Sequence, residues 1–102
     1  MGTTSRDLVG MVSAVSRKVG SGNRNAIMAA ATEELGEIAT EIAIEEGWKK
    51  REASPDGVTG ETIDLLICTL DLLYHQMGDK LTTEVFLDMV KKKLDKWEAK
   101  CS

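Results

Sequence analysis

A chain of 102 residues is one small domain, and its net charge of −4 gives no basic footprint for a nucleic-acid polymer. Its two cysteines, Cys68 and Cys101, offer neither a disulfide framework nor zinc spacing. No apolar run reaches the ~18 residues of a membrane span, and no signal-peptide core opens the chain. The expectation is a soluble, cytoplasmic protein in which residues 1–102 form a single domain, and a helical chain this short is expected to share its core with further copies of itself.

One proline, few aromatics and abundant alanine, leucine, glutamate and lysine favour helices over strands. The first predicted helix covers about residues 5–19, with Leu8, Met11, Val12, Val15 and Val19 on one apolar stripe, and the run Gly20-Ser21-Gly22-Asn23 ends it. The second covers about residues 24–46, with Ile27, Ala31, Leu35, Ile38 and Ile42 as its core face and Gly47 as its stop. Residues 48–59 read as a loop containing the turn sequence Ser54-Pro55-Asp56-Gly57. A third helix is predicted over about residues 60–77, ended by Gly78-Asp79. The fourth starts on a Thr82 or Thr83 cap and runs to about residue 99, burying Val85, Phe86, Met89, Val90, Leu94 and Trp97. The pattern predicts an all-α, four-helix bundle.

Two acidic pairs carry the chemistry: Glu34 with Glu37, and Glu61 with Asp64. Each pair is spaced i, i+3, which places both side chains on one face of a helix, one turn apart. A lone Glu-x-x-Glu usually marks a solvated face. The third helix argues otherwise. Its Glu61, Asp64, Cys68, Asp71 and His75 share an arc of roughly 80°, while most of the remaining circumference is apolar. On the second helix Glu34, Glu37, Glu41 and Glu45 occupy a matching arc of roughly 80°. Four carboxylates brought together would repel one another and lose hydration, and a divalent cation offsets both costs. Hard oxygen ligands in that number favour Mg2+, with Mn2+ as the substitute. A di-iron site would need Glu-x-x-His pairs and a calcium loop alternating oxygens around a glycine, and the chain has neither.

The run Glu33-Glu34-Leu35-Gly36-Glu37, followed by Glu61-Thr62-Ile63-Asp64, resembles the EExxE…ExxD signature of the all-α NTP pyrophosphatases, the MazG-like superfamily, over about residues 23–78. The resemblance implies a helical bundle assembled as a homodimer or homotetramer, with the substrate site near subunit contacts. It implies Mg2+-dependent hydrolysis of a nucleoside triphosphate to the monophosphate and pyrophosphate, in a nucleotide-pool house-cleaning role. Glu34, Glu37, Glu61 and Asp64 would be the metal ligands, and Glu33 or Glu41 would orient or deprotonate the attacking water. The stretch from Asp71 to His75 also resembles the DLLYH of phosphoribosyl-ATP pyrophosphatase. Cys68 stands where that motif needs an acid, so this activity is the alternative. A helical oligomer that binds metal without turnover is the non-enzymatic one.

Around this site, Lys49, Lys50 and Arg51 read as contacts to triphosphate oxygens or as a solvated loop, with Arg24 and Lys80 weaker candidates of the same kind. Trp48 could stack on a base or anchor the helix end. Asn23 and Asn25 could read a base edge or cap a helix. Asp71 suits the surroundings of the metal or a subunit contact, and His75 a structural hydrogen bond.

Overall fold

The computed structural model describes residues 7–20 and 22–102. It is all-helical, with no strand among the described residues. Helix α1 (Leu8–Val19) opens on Asp7, whose carboxylate accepts the N–H groups of Val9 at 3.1 Å and Gly10 at 3.4 Å. The predicted start at residue 5 lies outside the described residues. Gly20 closes α1 with φ of 63°, a left-handed conformation that favours glycine. Helix α2 (Arg24–Glu45) is capped by Asn23, which accepts the Ala26 N–H at 3.0 Å. Helix α3 (Gly57–Met77) passes through a 3-10 turn, Gly78–Lys80, into α4 (Thr83–Cys101), whose cap is Thr82.

Helix α3 begins three residues before its predicted start. The Gly57 N–H donates to the Ser54 carbonyl at 3.2 Å and to the Ser54 hydroxyl at 3.1 Å, so the predicted turn is present. It feeds straight into the first helical turn, where the Gly60 N–H reaches the Asp56 carbonyl at 3.1 Å. Gly60 has no room for a side chain, because a Cβ there would lie 2.1 Å from the Asp56 Cβ. Gly60→Ala is therefore expected to lower stability by about 1–3 kcal/mol, read as a shifted urea midpoint. An unshifted midpoint would rule out this tight helix entry.

Glu37 meets Glu61 near one end of the α2–α3 pair, and Arg24 donates to Gln76 at 2.9 Å near the other. The two helices thus run antiparallel, and their contact is the main one in the chain. Helix α1 packs on α3, and α4 meets α1 near its start, where the Thr83 hydroxyl donates to the Asp7 carboxylate. Val9, Ile27, Ala31, Leu70 and Leu81 form the buried apolar set.

The four helices are those expected, but several faces expected in the core are not buried. On α1 it is Val9, Ser13 and Ser16 that face inward, while Leu8, Met11, Val15 and Val19 are exposed. On α2, Ile27 and Ala31 are buried as expected, whereas Leu35 and Ile42 are exposed. Among α3 residues Leu70 alone is buried, leaving Ile63, Leu66 and Ile67 exposed. No α4 residue is buried: Val85, Met89, Leu94 and Trp97 stand exposed. The reason is geometric. Helix α3 is apolar nearly all round and needs neighbours on every side, yet α1 and α2 cover only part of it. The chain exposes 7712 Å², against about 5,700 Å² for a compact monomer of its mass. Its radius of gyration is 16.1 Å, where a compact chain of this length has about 13 Å.

Candidate metal centre

The antiparallel crossing of α2 and α3 brings the two acidic pairs together. Carboxylate oxygens of Glu34, Glu61 and Asp64 lie within 4.8 Å of one another. Glu37 joins them through a hydrogen bond with Glu61. The i, i+3 spacing does the local work by stacking each pair along one helix face. The crossing does the rest by setting the two faces opposite each other.

The electrostatics follow from this convergence. The Glu61 carboxyl is pushed up to about 7, first by its hydrogen bond to Glu37 and then by burial and the charges of Glu37, Glu34 and Asp64. A protonated Glu61 donating to the Glu37 carboxylate is the arrangement that removes one negative charge from the cluster. Burial pushes the Glu34 carboxyl up as well, helped by Glu37, Asp64 and Glu33. One oxygen of Glu34, Oε2, is buried with no hydrogen-bond partner. An orphaned carboxylate oxygen costs free energy unless a ligand satisfies it. Cys68, one turn beyond Asp64, has its thiol pushed up by burial and by Glu34, Asp64 and Asp71.

A cleft of about 540 Å³ opens beside the cluster. Glu33, Glu37, Thr40 and Glu41 of α2, Arg51 and Ser54 of the following loop, and Glu61 of α3 line it. Glu41 is buried, and its Oε1 accepts the Ser54 N–H at 3.0 Å. That bond spans thirteen residues and ties the loop to α2, which keeps Arg51 on the wall of the cleft. A larger hollow of about 900 Å³ between α1 and the α3–α4 junction contains none of the predicted site residues.

The remaining candidates divide cleanly. Glu33 is exposed and lines the cleft. Arg51 reaches the cleft, whereas Lys49 and Lys50 are exposed and do not line it. Trp48 is 84% exposed, so it is no packing anchor within the chain. Asn23 caps α2, and Asn25 lines a separate hollow with Arg24 and Gln76, near the other end of the helix pair. Lys80 is exposed in the 3-10 turn. Asp71 pairs with His75 at 3.3 Å, and both ring nitrogens of His75 lie at hydrogen-bond distance from carbonyl oxygens. Sequence reasoning missed the burial of Glu41 and its bond to the loop, for which spacing holds no signal.

Comparison with protein-family models, curated proteins and solved structures gives no match for this chain.

Proposed function

We propose that the protein is a Mg2+-dependent nucleoside triphosphate pyrophosphohydrolase that acts as a homo-oligomer. The observation that carries the proposal is the meeting of Glu34, Glu61 and Asp64 across α2 and α3, with Glu37 bonded to Glu61. The donor set fits the ion: all are hard oxygens, one is a buried oxygen without a partner, and the nearby Cys68 is held as a thiol rather than a soft thiolate. The MazG-like signature of the same residues supports the reading.

Glu34, Glu61 and Asp64 would hold the ion, with Glu37 beside them. Bound there, magnesium would supply positive charge to offset that on phosphate oxygens and on the leaving pyrophosphate. The chain's own groups supply position and proton transfer. Arg51, on the cleft wall, offers a planar guanidinium that pairs with two phosphate oxygens at once. Glu41 already accepts the Ser54 N–H, so Glu33 is the better-placed acid to orient the attacking water and take its proton. Attack at the α-phosphorus releases pyrophosphate as a unit and needs no covalent nucleophile.

The oligomer rests on the surface the single chain leaves open. Leu8, Met11, Val15, Leu35, Ile63, Leu66, Ile67 and Trp97 are all exposed. The excess over a compact monomer, roughly 2,000 Å² for one chain, exceeds the ~800 Å² that each partner gives a standard interface and is of the order found in obligate oligomers. Sedimentation equilibrium checks it, and a monomer at micromolar concentration would remove this part of the proposal.

The deciding experiment measures pyrophosphate release from standard and modified nucleoside triphosphates with magnesium. Release of pyrophosphate and monophosphate from any of them supports the enzyme. Metal binding by calorimetry with no turnover of any substrate would leave a non-catalytic metal-binding oligomer. Arg51→Ala is expected to raise KM about tenfold with a smaller effect on kcat, because it removes a charge-assisted bond made before the chemistry. An unchanged KM would place Arg51 outside the substrate site.

A further inference from the structure

His75 is the chain's one histidine, in the last turn of α3 and remote from the four acids. Its Nδ1 lies 3.0 Å from the Asp71 carbonyl oxygen and 3.3 Å from the Asp71 carboxylate. Its Nε2 lies 2.9 Å from the Gly22 carbonyl oxygen. Every one of these partners is an acceptor. A neutral imidazole carries one N–H and can donate on one side only, which leaves the lone pair of its other nitrogen facing a carbonyl oxygen. The imidazolium carries two N–H groups and satisfies both sides.

The two sides belong to different elements. Asp71 is on α3, and Gly22 is in the turn between α1 and α2, next to the Asn23 cap. We propose that doubly protonated His75 is a latch that fixes the α1–α2 turn to the C-terminal end of α3, and that loss of one ring proton releases it.

Charged groups on the elements around His75 stand beside it or beside its neighbours. The Asp71 carboxylate, on the same helix, lies 3.3 Å from Nδ1. From α1, Arg17 lies 5.7 Å over the Tyr74 ring, which meets the imidazole edge-on at 5.9 Å between centroids. From α2, Arg24 is held on Gln76 at 2.9 Å. Both arginines oppose a charged ring, but each is engaged with a neighbour of His75, whereas Asp71 touches the ring itself. Histidine is the side chain that ordinarily changes charge between about pH 5 and 8.

The test is long-range proton–nitrogen NMR of the imidazole in the full chain, where a single histidine leaves no ambiguity. Both ring nitrogens are expected to carry protons wherever the amides around Asn23 are protected. As one proton is lost, the Asn23 amide nitrogen, which shares a peptide unit with the Gly22 carbonyl, should titrate in step. Hydrogen exchange of the amides around Asn23, corrected for intrinsic rate, should rise several-fold over the same range. His75→Gln keeps one donor and no titration, so the Asn23 response should vanish. Any pH response that survives in it belongs to the acidic cluster and counts against the latch. A wild-type ring that carries one proton while those amides stay protected, or an Asn23 amide that ignores the ring titration, would overturn the proposal even if the variant fails to fold.

Discussion

Asp64→Asn is expected to cut pyrophosphate release by at least about 100-fold while leaving the helical fold intact. Asp64 is one of the three acids whose oxygens lie within 4.8 Å of one another, and asparagine preserves its shape while removing its charge. The neutral amide oxygen is a weaker partner for a hard cation. Its loss also relieves repulsion, since Asp64 is among the charges that push Glu34 and Glu61 upward. The apoprotein should therefore melt no lower than wild type, even though pyrophosphate release is lost. That combination separates a lost ligand from a damaged fold. Initial rates at saturating magnesium, with circular dichroism on the same samples, provide the check. Near-normal turnover by the variant would overturn the ligand assignment.

The helices and the stacking of each acidic pair on one helix face were legible because both depend on local spacing, whereas the crossing that sets the two faces opposite each other is tertiary. Caps at Asn23 and Thr82, the glycines after α1 and α2, and the i, i+3 pairs each act within one or two helical turns. Periodicity told which residues share an apolar face, but not whether this chain buries that face. The stripe Leu8, Met11, Val15 and Val19 is a genuine apolar face that points away from this chain's core. The residues that helix α1 buries are instead Val9 and the small Ser13 and Ser16.

The cleft shows the same limit. Glu41 shares the acidic arc of Glu34 and Glu37 by spacing, yet a bond to Ser54 fixes it as the anchor of a loop. The path of that loop also distinguishes Arg51 from its neighbours Lys49 and Lys50, because Arg51 alone lines the cleft. Loop closure over thirteen residues is set by the folded chain and leaves no periodic trace.

In the absence of divalent metal, stability is expected to fall as pH rises from about 4.5 toward 7. An ordinary glutamate titrates near 4.5, and Glu61 is pushed up to about 7 in the folded chain, first by its hydrogen bond to Glu37. Within that window the folded state binds more protons than the unfolded state, so the slope of stability against pH is negative. The contribution is fully present below 4.5 and gone above about 7. Glu34 is shifted in the same direction, chiefly by burial, and deepens the fall. Asp7 works oppositely: its bond from Thr83 lowers it below 3.8, so its contribution is lost only in stronger acid. Magnesium should reverse the loss at the alkaline end, where all four carboxylates are charged. An ion present at 100 times its Kd adds about 2.7 kcal/mol if it binds the folded state alone. Melting temperatures between about pH 5 and 8, in chelator and in magnesium, measure both effects. Glu61→Gln should flatten the Glu61 part of the slope and weaken the magnesium response together, whereas His75→Gln should leave the magnesium response intact. A melting temperature indifferent to both pH and magnesium would mean that the acids do not share one site.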